Sequence, residues 1–387
     1  MPQPFRILLS IVGAFALAAC FAAKASAQAY ETPVRHAVLI DADTDSVLFA
    51  KEADTPMPPA SMAKLMTMSV VFDALKTGRL RPDQEFVVSE YAWRTGGAPS
   101  GGSTMFAALG SSIRVDDLMH AIVIQSANDG AIAVAEGMAG SEAGFAALMN
   151  DEAKKIGLTN SHFTNPTGLP DPDQYVTALD LARLARHLIE DFPEYYPLYS
   201  QTEFTWNKIR QMNRNPLLDM NIGADGLKTG YTDASGYGLV GSAVQNGQRL
   251  IVVINGAATA KEREEEARKL LVWGFNSFRR VTLFDKDETI AEARVFGGIR
   301  DDLPLVTKEA IDVLVPSDDP GKLVGSVHYQ GPVMAPVTAG QEIGTLRIES
   351  GERMLREAPV YAAADIGVGG IADRAKDGLR ELLFGWW

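Results

Sequence analysis

The chain is poor in cysteine, in basic charge and in long apolar runs, and each shortage excludes a class of protein. Its one cysteine is Cys20 in 387 residues, which leaves everything downstream without disulfides or cysteine-ligated metal. Acidic residues outnumber basic ones 49 to 36, for a net charge of −13. That balance argues against nucleic-acid binding, which wants basic patches against phosphate. The five histidines, His36, His120, His162, His187 and His328, show no metal-ligand spacing, so neither a metal nor another cofactor is expected. No Gly-x-Ser-x-Gly elbow is present to support a histidine-dependent serine triad. The glycine-rich stretch Gly96–Gly102 lacks the Gly-Lys-Ser/Thr ending of a phosphate-binding loop and reads as a flexible loop beside a cleft.

With 46% hydrophobic and 22% charged residues, the composition is that of a soluble globular protein long enough for two domains. Arg6, the apolar run Ile7–Phe21 and the small residues Ala25-Ser26-Ala27 form the three parts of a secretory signal peptide spanning 1–27. The run is too short for a comfortable bilayer span. Leu17-Ala18-Ala19-Cys20 resembles a bacterial lipobox, which would make Cys20 a lipidated N-terminus; cleavage after Ala27 is the favoured reading. Export to the periplasm follows.

His36–Ile40 and Val47–Phe49 read as strands, and a helix opened by Ser61 runs to about Leu75. From Val115 to Leu188 the pattern is mainly helical. Asp116-Asp117 start one helix, Ser141 caps another, and Thr177-Ala178-Leu179-Asp180 forms a capping-box-like start. Strands return at Leu227–Tyr231, Tyr237–Ala243 and Leu250–Asn255, and a charged helix covers Lys261–Phe275. Strands at both ends of a helical middle predict an α+β domain over 28–278 whose antiparallel sheet joins the two ends. After that, short apolar runs broken by Pro, Gly and Asp (Thr289–Phe296, Ala310–Val315, Gly325–Tyr329, Ile343–Ile348) predict a small all-β domain over 279–366. In the tail, 367–387, Ile371, Ala375, Leu379, Leu382, Leu383 and Trp386 fall on one helical face, with charges on the other. This amphipathic helix, ending on Trp386-Trp387, suits the outer face of the cytoplasmic membrane.

Three short motifs carry the chemistry. Ser61-Met62-Ala63-Lys64 sets a lysine one helical turn from a serine, so the amine can reach the hydroxyl. A serine is a poor nucleophile until a base takes its proton, and a neutral lysine can serve. Ser126-Ala127-Asn128 lies between two helical segments, and Lys228-Thr229-Gly230 begins a strand. Ser61 at a helix start has a free N–H for an oxyanion, and Tyr231 N–H on the strand edge is the natural second donor. Burial beside Lys228 would lower the pKa of Lys64. Ser126 can relay a proton, and Asn128 can bind substrate or orient Lys64. Lys228 and Thr229 can bind a carboxylate, and Gly230 lets an extended substrate lie against the strand.

S-x-x-K, S-x-N and K-T-G in this order are the signature of penicillin-binding proteins and class A β-lactamases. With Pro58-Pro59-Ala60, Tyr237-Gly238-Leu239-Val240 and Leu270–Phe275, the chain resembles the low-molecular-mass penicillin-binding proteins, the secreted serine D-alanyl-D-alanine carboxypeptidases. The resemblance implies a β-lactamase-like transpeptidase domain with a helical subdomain. It also implies removal of the terminal D-alanine from peptidoglycan stem pentapeptides through an acyl-enzyme, and covalent inhibition by β-lactam antibiotics. Arg263 would help bind the substrate's terminal carboxylate. Alternatives on the same motifs are a D,D-endopeptidase, a non-catalytic penicillin sensor, and a β-lactamase, for whose deacylating glutamate Glu203 is the faint candidate.

Overall fold

The computed structural model describes residues 5–7, 30–318, 321–351 and 353–371, with 375 and 378. Of the segment read as a signal peptide, the remainder, Cys20 included, lies outside the described residues, as does most of the expected C-terminal helix. Residues 367–370 are not helical, Val368 bridging Gly298. Among the described residues, no helix is long and apolar enough to cross a membrane. Two compact units result, one of Tyr30–Asp43 and Val47–Phe275, the other of Thr44–Ser46 and the chain from Asn276.

In the first unit, five strands form an antiparallel sheet in the order Val47–Lys51, His36–Asp41, Gln248–Ala257, Gly236–Gln245, Ala224–Thr232. The central strands are apolar at successive positions because both faces are covered. Val38, Ile40, Ile251 and Val253 join one large core with the helical middle of the chain, while Leu39 and Leu250 meet Gly274 of the helix Ala260–Ser277 on the other face. Alternation along each strand sends successive side chains to opposite faces. The strand 224–232 carries Lys228-Thr229-Gly230 and is an edge of the sheet. Its outer side is therefore open to an added chain.

Helix Lys64–Lys76 is apolar nearly all round and buried along most of its length, as expected for the central helix of a bundle. It does not begin at Ser61: a 3₁₀ turn, Ala60–Ala63, precedes it. The caps read from sequence are present, Ser141 accepting from Gly144 N–H and Thr177 from Asp180 N–H. The helical stretch is interrupted between Ile156 and Thr177, where Asn165-Pro166-Thr167-Gly168 forms a tight loop. A hairpin, Glu203–Trp206 with Ile209–Met212, adds to the elements expected from sequence.

The second unit is all-β. One sheet has the order 5–7, 323–329, 342–350, 353–362, 302–306, 289–296, 333–334, and a second pairs Phe278–Phe284 with Ile311–Pro316. Its own core is built from Val295, Leu303, Leu305, Val313, Val327, Leu346 and Val360 among others.

Candidate active site

The 3₁₀ turn presents Ser61, half-buried, on a floor made by close backbone approach. A Cβ on Gly168, which has φ +78°, would fall 1.8 Å from Ala60 O. A Cβ on Gly230 would lie 3.1 Å from both Pro59 O and the Ala60 Cβ. These glycines let the loop 165–170 and the edge strand press against the turn from two sides. Asn165 shapes that loop, its Oδ1 accepting from Gly168 N–H at 2.8 Å and Thr167 Oγ1–H at 2.8 Å.

Lys64 is fully buried, 0% exposed. Its Nζ lies 3.2 Å from Ser61 Oγ and 2.7 Å from Asn128 Oδ1, and it also donates to the carbonyl of Thr167. Burial first, and the Arg214 guanidinium second, bring its pKa down to about 7, against a smaller opposing pull from Asp129. Sequence reasoning placed Lys228 as the second cation beside Lys64, and the two amines do repel each other; the structure adds the Arg214 guanidinium. Lys228, buried as well, is itself driven well below the ordinary lysine range by desolvation and then by the charges of Lys64, Arg214 and Arg263. Two buried amines that repel each other cannot both hold a proton cheaply.

Ser126 follows a π-helical turn, Ala121–Gln125, and sits in the left-handed region at φ 66°, ψ 33°. Strain of this kind in a non-glycine residue persists where the surroundings enforce it. Its hydroxyl is buried and has no hydrogen-bond partner among the described residues, which leaves it free for a ligand or a transferred proton. Asp129, next to Asn128, is fully buried and accepts from Thr104 Oγ1, Met105 N–H, Ala107 N–H and Gly130 N–H. It ties the loop after Gly102 to the helix Asn128–Ala139, and Asn128 N–H donates to Ser103 O at 2.8 Å.

On the strand side, Tyr231 pairs with Tyr237 across the sheet, the rings 4.2 Å apart. The Arg263 guanidinium lies 5.9 Å from the Tyr237 ring, and its Nε is buried without a hydrogen-bond partner among the described residues. Arg263 is thus not the solvated charge its sequence surroundings allow; its field reaches Lys228. Arg214 donates to Ser103 Oγ at 2.6 Å. Lys64, Asn128, Lys228 and Arg214 are consequently coupled by contact or charge, with Ser61 in hydrogen-bond reach of the first. Glu203 is not part of the group: it is exposed in the hairpin and paired with Arg210. Sequence reasoning missed Arg214, the Thr167 carbonyl and Asp129. The turn-rich run Asn165–Pro170 was the available signal for the second, whereas a lone arginine in Asn213-Arg214-Asn215 offered none.

The family profile described as D-alanyl-D-alanine carboxypeptidase matches residues 22–259, and that of the penicillin-binding protein 5 C-terminal domain matches 278–367. The D-alanyl-D-alanine carboxypeptidase DacC of Escherichia coli (strain K12) is 39% identical over 95% of this chain and 92% of its own. A crystal structure of penicillin-binding protein 5 from Haemophilus influenzae superposes with a TM-score of 0.79 at 35% identity, covering 87% of this chain and 98% of that one. The ampicillin-bound penicillin-binding protein D2 of Listeria monocytogenes superposes at 0.56 with 30% identity over 64% of this chain and 98% of its own. On the match of both domains in order, the chain belongs to the D-alanyl-D-alanine carboxypeptidases of the low-molecular-mass penicillin-binding protein family.

Proposed function

We propose that the chain removes the terminal D-alanine from peptidoglycan stem pentapeptides through an acyl-enzyme on Ser61, and that β-lactams acylate the same oxygen. One observation carries the division of roles. Lys64 Nζ faces three oxygens, and two of them, Asn128 Oδ1 and Thr167 O, can only accept. A neutral amine has two N–H bonds; both are engaged there, and its lone pair is left for the Ser61 hydroxyl. A pKa of about 7 keeps a working fraction neutral.

Ser61 Oγ attacks the penultimate D-alanine carbonyl as its proton passes to Lys64. The N–H groups of Ser61 and Tyr231 hold the oxyanion. Ser126, together with Lys228, relays that proton from Lys64 to the departing nitrogen, the C–N bond breaks and D-alanine leaves with Lys64 neutral again. Lys228, Thr229, Arg263 and, from its charge, Arg214 bind the leaving residue's carboxylate, while Gly230 lets the substrate lie flat on the strand edge. Water then cleaves the ester: its hydroxyl adds to the acyl carbon, and its proton passes by way of Lys64 to the departing Ser61 Oγ, which restores Ser61–OH and neutral Lys64.

The product cannot donate to a cross-link, so the role is cell-wall remodelling. The signal peptide and amphipathic tail read from sequence support a periplasmic enzyme held at the outer face of the cytoplasmic membrane. The test is D-alanine release from a pentapeptide together with attachment of a labelled penicillin. Both are expected of the native enzyme and neither of Ser61→Ala; labelling that survives Ser61→Ala sinks the assignment.

A further inference from the structure

Asn128 acts on Lys64 and Arg214 on the leaving carboxylate, and both lean on one residue outside their own elements. Asn128 N–H donates to Ser103 O at 2.8 Å, and Arg214 Nη1 donates to Ser103 Oγ at 2.6 Å. Ser103 opens the turn 103–107, which belongs to no helix or strand. We infer that Asp129 is a positioning residue for the reaction, clamping this turn so that Ser103 sets both the amide that orients Lys64 and the guanidinium that meets the carboxylate. The inference rests on the acyl-enzyme reading above.

The turn is not one the chain favours unaided. Phe106 sits at φ +62°, in the left-handed region, where a bulky side chain is an outlier. That conformation costs about tenfold or more in population against the ordinary regions. The Phe106 ring is exposed, so its packing offsets little of the cost. Hydrogen bonds supply the difference. On the turn, fully buried Asp129 accepts from Thr104 Oγ1–H at 2.6 Å, Met105 N–H at 3.0 Å and Ala107 N–H at 3.2 Å; on its own helix it accepts from Gly130 N–H at 3.0 Å. Thr104 Oγ1 in turn accepts from Phe106 N–H at 2.9 Å. All four groups around Asp129 donate, an arrangement that a carboxylate satisfies and a neutral amide does not. From the other side, Gln211 Nε2 of the hairpin donates to Met105 O at 3.2 Å. That is one neutral bond against three to an anion, so Asp129 carries most of the hold on the strained residue.

Loss of the clamp therefore acts on two kinetic quantities at once. A loosened Asn128 misdirects Lys64 and lowers kcat, while a loosened Arg214 weakens carboxylate binding and raises KM. A residue that only kept the domain folded would change neither constant in the molecules that remain active.

The experiment measures kcat and KM for D-alanine release from a stem pentapeptide, counting active sites by stoichiometric labelling with a penicillin so that misfolded protein drops out. Asp129→Asn is expected to lower kcat by about tenfold to a hundredfold and to raise KM by about fivefold. Thr104→Val removes one donor to Asp129 and the acceptor for Phe106 N–H, and should move both constants the same way by smaller factors. Ser103→Ala loses the bond to Arg214 but keeps its carbonyl, so KM should rise by more than kcat falls. Adding Phe106→Gly to Asp129→Asn should recover about fivefold to tenfold in kcat/KM, because glycine removes the strain that the carboxylate holds. If Asp129→Asn takes up no penicillin, Thr104→Val, with and without Phe106→Gly, carries the same two comparisons. Constants per labelled site that match the native enzyme, or a loss that Phe106→Gly leaves unrecovered, overturn the clamp and leave Ser61 chemistry intact. No D-alanine release from the native protein overturns the acyl-enzyme reading and this inference with it.

Discussion

At the scale of single residues, the chemistry turns on one lysine held where water cannot reach it. The ordinary lysine pKa of 10.5 falls to about 7 at Lys64 because burial penalises the ammonium and Arg214 repels it. As a base, Lys64 works only when neutral, so the acylation rate should rise through a limb near pH 7 and level off above it. Arg214→Ala removes one of the two lowering causes and should move that limb to higher pH, visible in penicillin acylation measured from pH 5 to 10. A limb that stays in place would assign the shift to burial alone. Linkage has the opposite face. Between about 7 and 10.5 the unfolded chain holds a proton at this lysine that the folded chain does not, so stability rises with pH across that window. Lys64→Met is therefore expected to slow acylation by roughly 10³-fold and to flatten the rise in thermal midpoint between pH 7 and 9. Lys228, shifted in the same direction, keeps part of the slope.

At the scale of elements, the site is an agreement between a turn, a loop and a strand edge. The turn 60–63 carries Ser61, the loop 165–170 carries the carbonyl bonded to Lys64, and the strand 224–232 carries Tyr231, whose N–H is the proposed second oxyanion donor. Gly168 is where the first two meet. With φ +78° and a Cβ position 1.8 Å from Ala60 O, alanine there must push the turn aside. Gly168→Ala is expected to cost about 1–3 kcal/mol of stability and at least about 10²-fold in acylation, since displacements near 1 Å are that costly. Urea midpoints and acylation rates check the two parts separately. Retained acylation would mean the turn tolerates movement that the hydrogen-bond geometry at Lys64 says it cannot.

At the scale of the whole molecule, two hydrophobic cores stand where one chain could have built one. Units with separate cores unfold separately unless strongly coupled. Calorimetry should resolve two transitions, of which acylation by penicillin raises one, because a ligand stabilises only the unit that binds it. Leu305→Ala, deep in the β unit, should lower the other by about 2–5 kcal/mol. A single transition that moves with both perturbations would refute the independence.

The amino-acid sequence alone determined the three motifs, the alternation of sheet and helix, the caps at Ser141 and Thr177 and the change of character near residue 278. Each is written in neighbouring residues: a period of two or 3.6, an oxygen that caps its own helix, a serine and lysine one turn apart. What the tertiary structure decided lies between residues far apart in the chain. It brought in Arg214 as a charge that depresses Lys64, directed Lys64 through the carbonyl of Thr167, and half-buried Arg263. It also left Glu203 paired with Arg210 outside the site. Desolvation and Coulomb energy depend on distance in space and on what excludes water, and neither quantity has any trace in the spacing of a sequence.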